Sequence, residues 1–323
     1  MGDRPRTLCR LLRAGARRVP LASAPVTTPP APDRPPAPRA TRSGPRRGAR
    51  TTVVVASRNR REELLASLRR HEGPVVLVDN GSTDGTVEAV REELPHVDVV
   101  ALPANRGAVA RTIGVERART PYVAFADDDS WWAPGMLERA ADLFDAAPRL
   151  ALVCARILVG PQERPDGIGD LMARSALGTD DDLPGPSLLG FVACAAAVRR
   201  DAFLAAGGFD DVVVFPGEEE RLSYDLAAAG HGLAYVEELV VHHHPSPHRD
   251  APQERAVRIA RAALLTALMR RPWPVVARTL AGTLRHHPAS VRRALPSLGA
   301  ALRARRPNPP AVEAGIRALR ASG

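Results

Sequence analysis

Three adjacent carboxylates, Asp127, Asp128 and Asp129, follow directly on the apolar run 122–126. Like charges packed this closely repel one another. In extended backbone, residues i and i+2 point the same way, so Asp127 and Asp129 share a face. An all-oxygen donor set of this kind suits a hard divalent cation, Mg²⁺ or Mn²⁺, bound alongside substrate phosphates. A solvated acidic loop is the plainer alternative, but the position at the end of an apolar strand favours the metal. A second carboxylate, Asp79, ends the apolar run 75–79, where it can accept hydrogen bonds from the N–H groups of a base. The turn that follows it, Asn80-Gly81-Ser82-Thr83-Asp84-Gly85, is explained by capping alone. A second acidic group, Glu218-Glu219-Glu220, opens a helical stretch over 218–229, where the helix dipole by itself favours acids.

Other chemistry-bearing residues sit near these. His242-His243-His244 ends an apolar strand pattern over 233–242. Three consecutive histidines cannot all face one ion from a strand. His244 is the candidate metal ligand, and a polar turn before Pro245 is the alternative. Trp131 and Trp132, just past the triplet, either wall a ligand or anchor the next helix.

The elements that must position these groups alternate. Strand patterns at 51–56, 75–79, 97–101 and 122–126 alternate with helical patterns at 60–71, 86–93, 107–119 and 134–146. This order predicts an α/β fold with a mostly parallel sheet and helices on both faces. Ligands in such sheets bind at the carboxyl ends of the strands. Ser57-Arg58-Asn59, Asp79-Asn80 and Asp127-Asp128-Asp129 all fall there. Further strands are expected at 151–159, 191–198 and 233–242, a long loop at 160–187, and a short helix at 201–207. The segment 251–323 reads as helical.

Charge is unevenly spread. The 323 residues carry a net charge of +9, with no lysine, so all 45 basic residues are arginine. Residues 1–50 net +10 and residues 251–323 net +12, which leaves 51–250 at −13. An acidic core with basic flanks fits a metal-using enzyme resting against an anionic surface, with no nucleic acid partner. Residues 1–50 hold 10 prolines and are expected to be disordered, with a short helix near 7–18. Arg10, Arg13, Arg17 and Arg18 interrupt any apolar run of signal-peptide length there; the Arg-rich, acid-poor start resembles a transit peptide. Cys9, Cys154 and Cys194 are scattered without CxxC spacing, which argues against a disulfide framework or a structural zinc site and for a reducing compartment. No stretch of about 20 apolar residues occurs. Arg255, Arg258, Arg261, Arg270 and Arg271, interleaved with Ile259, Leu264, Leu265, Leu268 and Trp273, fit two readings. One is a basic amphipathic helix on a membrane surface. The other is a helix packed on the core with its arginine face in solvent.

The ordered set of 51–59, 78–86, Asn105-Arg106-Gly107 with Arg111 and Gly114, Asp127–Asp129, Gly207-Gly208-Phe209-Asp210 and Gly217-Glu218-Glu219 resembles the family 2 glycosyltransferases of the GT-A fold, the rhamnosyltransferase-like members in particular. The resemblance covers about 200 residues, 51–250, flanked by the extension 1–50 and the basic helical segment 251–323. It implies that Ser57, Arg58 and Asn59 cradle the nucleotide and that Asp79 reads its base. Arg111 fixes the loop before the acidic motif, Asp127 and Asp128 lie near the ribose and diphosphate, and Asp129, with Asp127 and His244, holds the metal. Glu219 is the general base, with Glu218 beside it. Ala56 and Arg58 depart from the usual proline and aromatic residue, Glu219 from the usual aspartate, and Arg221 from a further acid. The implied reaction is inverting transfer of a sugar from a UDP- or dTDP-sugar to a glycan or lipid-linked acceptor, as in cell-wall or polysaccharide synthesis. It would take place in the cytoplasm or at the inner face of the plasma membrane. A nucleotidyltransferase, or a non-catalytic scaffold on the same fold, are the competing readings.

Overall fold

The computed structural model describes residues 48–246 and 251–322. The expected helix near 7–18, Cys9 and nearly all of the Arg/Pro-rich extension lie outside the described residues. Arg50 is already anchored, its guanidinium 3.0 Å from Glu138, 2.6 Å from Asp142 and 2.6 Å from Asp145.

The first half alternates β1 (Thr51–Ser57), α1 (Arg61–Leu68), β2 (Val75–Asp79), α2 (Thr86–Glu93), β3 (Asp98–Ala101), α3 (Val109–Arg117) and β4 (Tyr122–Ala126). The pattern β5 (Ser130–Trp132), α4 (Met136–Ala146), β6 (Leu150–Val159), β7 (Arg164–Pro165), α5 (Gly167–Ala173), β8 (Ala196–Arg199), α6 (Arg200–Ala205), α7 (Glu218–Ala228) and β9 (Gly232–His243) completes the α/β part. The strands join one sheet in the order β3-β2-β1-β4-β8-β6-β9-β5, with β7 on the outside of β6.

Strands β1 to β4 pair in parallel, as do β6 and β9. The remaining pairings are antiparallel: β8 between β4 and β6, β5 on β9, and β7 on β6. The sheet is therefore the expected parallel one in its first half and mixed in its second. Apolar runs announce a strand but not its direction, and the antiparallel insertion of β8 had no signal in the residue pattern. The strand expected at 191–198 begins instead with a 3₁₀ turn, Ala193–Ala195, before β8. The loop expected at 160–187 contains β7 and α5, whose first turn is capped by Asp166 accepting from the Ile168 N–H at 2.8 Å. Helix α4 starts two residues past Pro134, because Gly135 takes a left-handed φ of 79° at its N-cap.

The β-branched run Val53–Val55 is fully buried because helices cover both faces of β1. Val54 meets α3 at Gly114, where an added Cβ would come within 2.3 Å of Val54 Cγ1. Thr51 projects to the other face, where its Oγ1 donates to the Leu137 carbonyl of α4 at 3.2 Å. Gly114 thus sets how closely α3 lies on the sheet, and with it the height of Arg111 one turn earlier.

The C-terminal segment is helical: α8 (Pro252–Arg270), α9 (Trp273–His286), α10 (Pro288–Ala294), α11 (Leu298–Arg303) and α12 (Pro310–Ala321). Of the two readings of α8, packing is the one found. Ala262, Leu264, Leu265, Leu268 and Met269 form a second apolar cluster with Val213, Val276, Ala294 and Ala301. Arg270 and Arg271 are buried rather than solvated. Arg271 meets Glu313 of α12 at 2.7 Å, and Arg261 donates to Ser297 Oγ at 2.7 Å. No helix among the described residues is long and apolar enough to cross a membrane.

His71, in the turn from α1 to β2, is buried, and neither ring nitrogen has a hydrogen-bond partner. Burial pushes its pKa down to about 4. The unfolded chain takes up the proton below its ordinary 6.5, whereas the folded chain resists it until about 4. Stability is therefore intact above pH 6.5 and falls as the pH drops through that window, by up to about 3 kcal/mol. His71→Leu should flatten this part of the urea-denaturation profile. An unchanged slope between pH 6.5 and 4 would place the acid sensitivity elsewhere.

Candidate active site

The site is built where β1, β2 and β4 end, facing the start of α7 and the end of β9. The triplet follows β4 in a tight turn into β5. The Asp127 N–H donates to Ser130 Oγ at 2.8 Å, and Ser130 is fully buried. Asp127 Oδ1 accepts from Arg111 Nη2 at 2.5 Å. Asp128 accepts from Ser57 Oγ at 2.9 Å, so the end of β1 is tied to the triplet. Asp129 faces the end of β9: Oδ1 lies 3.3 Å from His243 Nε2, and Oδ2 accepts from the Ser246 N–H at 3.1 Å. Burial, with Asp127 and Asp129 on either side, pushes Asp128 up to about 7.

Arg111 links this cluster to the glutamates. Its guanidinium is nearly buried, and Nη1 lies 3.6 Å from Glu218 Oε1. Glu218 is fully buried at the first position of α7, behind Gly217 with its φ of 116°. Burial and the neighbouring Glu219 push the Glu218 carboxyl well above the usual range, against the pull of Arg111. Burial also raises Glu219, while a backbone hydrogen bond and the charge of Arg111 hold it back. Both Glu218 oxygens are buried without a hydrogen-bond partner, and burial favours the protonated form of each of the two acids. The third acid, Glu220, turns away and accepts from Tyr224 Oη at 2.5 Å.

The nucleotide-side candidates are brought to the same edge. Asp79 Oδ2 accepts from the Ser82 N–H at 2.9 Å, and Oδ1 is buried without a partner. Asn59, at φ 53°, accepts from the Thr83 N–H at 2.8 Å, and its own N–H donates to Ser82 Oγ at 2.9 Å. Its role in the free protein is to lock the ends of β1 and β2 together. Arg58 is exposed, with Nε 3.5 Å from the Gly81 carbonyl. Asn80 braces the opposite loop, accepting from the Arg106 N–H at 2.8 Å and donating to the Gly107 carbonyl at 3.0 Å.

His243, not His244, is the histidine whose ring reaches Asp129. The His244 ring packs edge-on against Trp131 at 4.7 Å, and only its backbone N–H touches the Asp129 carbonyl, at 2.8 Å. Trp131 also stacks on His242 and carries the Arg70 guanidinium 4.0 Å over its ring. Trp132 is core, its Nε1 donating to the Phe125 carbonyl at 3.0 Å. Strand alternation is the signal that separates these histidines: Ser130 pairs with His243 and Trp131 with His242, so His243 shares the face of Ser130. Ser246, beside Arg60 and Glu63, had no signal in the sequence.

Among the described residues, no three His, Cys, Asp or Glu side chains converge to hold a metal ion alone. The donor chemistry still fits Mg²⁺ or Mn²⁺, which usually bind through one or two carboxylates and complete their shells with water and substrate phosphates. Burial is the larger cause of the raised Asp128, and the crowding by Asp127 and Asp129 that adds to it is the repulsion a cation there would relieve. Asp129 and Asp127 are the residues that would hold it.

Arg221, where a further acid was expected, points inward. It meets Asp225 at 2.5 Å and Asp210 at 3.2 Å, and donates to the Gly208 carbonyl. Asp225 also accepts from Arg270 of α8 at 3.1 Å. This buried chain of charges fixes the start of α7 between the Gly207-Gly208 turn and the C-terminal helices. A concavity of about 360 Å³, lined by Arg119, Thr120, Pro121, Arg199, Arg200 and Asp201, lies at the opposite end of β4 and shares no residue with the site.

Residues 52–205 match the family model for glycosyl transferase family 2. The N-acetylglucosaminyl-diphospho-decaprenol L-rhamnosyltransferase of Mycobacterium tuberculosis is 31% identical over 224 residues, which span 57% of this chain and 71% of that protein. The chain belongs to glycosyl transferase family 2. The pre-mycofactocin glycosyltransferase of the same organism is 34% identical over 214 residues, 62% of this chain and 44% of its own length. The chain thus spans less than half the length of that relative. Among solved structures, the mannosyltransferase PcManGT from Pyrobaculum calidifontis, in complex with GDP-Man and Mn²⁺, superposes with a TM-score of 0.52 at 22% identity, covering 84% of this chain and 80% of that one. The fold is GT-A. The family match ends at residue 205, so Glu218 and Glu219 lie beyond it, and Glu218 is the one that faces Arg111.

Arg111 and Glu218 should respond differently to substitution. Arg111→Met leaves Asp127 without its buried counter-charge and should cost about 3 kcal/mol. Glu218→Gln keeps the shape of a protonated carboxyl and should change stability by less than about 1 kcal/mol. Urea denaturation of both variants at neutral pH checks this. Equal losses would mean that Glu218 is ionised in the folded protein.

Proposed function

We propose that the chain is an inverting glycosyltransferase that moves a sugar from a UDP- or dTDP-sugar to a glycan or lipid-linked acceptor. The observation that carries this reading is the Arg111 bridge, which joins the aspartate triplet at Asp127 to the start of the glutamate helix at Glu218, at one edge of the sheet. The N-acetylglucosaminyl-diphospho-decaprenol L-rhamnosyltransferase among its relatives supports a lipid-borne acceptor. The GT-A structure that holds GDP-Man and Mn²⁺ supports a nucleoside-diphosphate donor and a divalent ion.

Each residue then has a task. Ser57, Arg58 and Asn59 line the nucleotide side, with Arg58 free to lay its planar guanidinium on the base. The buried Asp79 Oδ1 accepts a base N–H, which satisfies an oxygen that otherwise has no partner. Asp127 and Asp128 face the ribose and diphosphate, and Asp129 with Asp127 holds the cation. A bound Mg²⁺ or Mn²⁺ supplies Lewis-acid stabilisation to the departing diphosphate. Glu219 takes the proton from the acceptor hydroxyl, which is a poor nucleophile until then. Its burial makes it a stronger base than an exposed carboxylate. Glu218, buried next to it in the chain, faces the Arg111 guanidinium that ties the start of α7 to the aspartates. One base acting from the side opposite the diphosphate gives a single displacement and inversion at the anomeric carbon.

Incubation of the purified protein with Mn²⁺ and a panel of nucleotide sugars, read by mass spectrometry, is the direct test. Asp129→Asn should abolish metal-dependent donor binding. Glu219→Gln should leave donor binding within about twofold and lower turnover by 100-fold or more, on the order of general-base catalysis. A fully active Glu219→Gln would move the base elsewhere, and a folded protein that binds no donor would sink the transferase reading.

A further inference from the structure

We propose that the exposed face of α9 seats the protein on an anionic lipid bilayer. The proposal deepens the reading of a lipid-borne acceptor and rests on it for purpose, but its observations are separate. Helix α8, the amphipathic candidate from the sequence, is spent on packing, whereas α9 is not. Its inner side, with Val276 and Thr283, is buried against α8, and Leu280 packs at the edge of that cluster. Its outer side carries Trp273, Ala277, Ala281 and Leu284 at helical spacing, with Trp273 58% and Leu284 51% exposed. At 100° per residue, Arg278 and Arg285 fall together along one margin of that stripe, and both are exposed. An apolar stripe with a tryptophan, bordered by arginines, is the arrangement that lies in the headgroup region of a membrane.

Charge complementarity selects the occupant. From Arg255 to Val312 there are 12 arginines and no acid. Two more exposed leucines, Leu295 and Leu302, lie in this acid-free stretch. Arginines that α8 needs for packing are used inward, on Asp225 and Glu313. Those of α9 are left facing out. A protein partner with an acidic groove would also answer the charge. The apolar stripe without any acidic residue among its neighbours in sequence instead favours a continuous anionic surface over a patterned one. The Arg305 guanidinium lies 4.0 Å over the Trp273 ring and holds it at the start of the helix, on the stripe.

The test is co-flotation of the full chain with vesicles of phosphatidylglycerol and phosphatidylcholine, against vesicles of phosphatidylcholine alone. The chain should float with the anionic vesicles and release as salt is raised. Leu284→Gln should weaken binding by about tenfold, the loss expected for one exposed leucine that no longer enters the headgroup region. Arg278→Gln with Arg285→Gln should weaken it further and reduce the salt dependence. Circular dichroism verifies the fold of each variant, and Leu284→Gln avoids the Trp273–Arg305 contact. Equal flotation with neutral vesicles would overturn the proposal. So would unaltered binding by the variants, or retention on duplex DNA in place of vesicles. Self-association that Leu284→Gln abolishes would assign the face to a second copy and overturn it as well. Donor hydrolysis without vesicles is measured in parallel. Its loss with flotation intact would sink the transferase reading alone, and flotation lost with hydrolysis intact would sink the membrane face alone.

Discussion

A single buried guanidinium holds the site together. Arg111 lies between two acidic segments far apart in the chain, with Asp127 on one side and Glu218 on the other. Without a cation there, the end of β4 and the start of α7 would repel each other, and burying Glu218 would be costlier still. The rest of the architecture keeps that cation in place. Gly114 lets α3 settle on β1 and β2, Asn80 braces the loop ahead of α3, and Thr112 Oγ1 bonds the Phe209 carbonyl at 3.0 Å. Two sides of the cleft are thus referred to one helix.

Protons, as well as charges, are distributed across this edge. Asp128 and Glu218 are both held above the ordinary carboxylate range, chiefly by burial and next by their like-charged neighbours. Their reluctance to ionise eases the charge crowding in each acidic cluster.

Much of this was legible in the residues. The four strand-to-helix alternations placed Ser57, Asp79 and Asp127 at one edge, because hydrophobic periodicity reports local structure well and ligand sites follow strand ends. Strand direction was not legible: nothing in the residues 196–199 distinguishes an antiparallel insertion from a parallel neighbour. The choice among the three histidines was also lost. It depends on which face of β9 meets β5, and one residue of register exchanges His243 for His244. Buried arginines were the other blind spot. Arg221, Arg270 and Arg271 look like surface charge in a sequence with this composition, and only tertiary contact reveals Asp225 and Glu313 as their partners.

The chain Arg270–Asp225–Arg221–Asp210 runs from α8 through α7 to the Gly207-Gly208 turn. Gly217 adds steric contact to this: a Cβ there would lie 2.7 Å from that of Ala262. The helical tail is thus not a module that can be exchanged freely. A chimera that takes its tail from a relative would inherit arginines or acids with no mates on α7, and the mismatch would fall on the helix that begins with Glu218 and Glu219. Tail and α7 have to be transplanted as one piece, with their complementary charges.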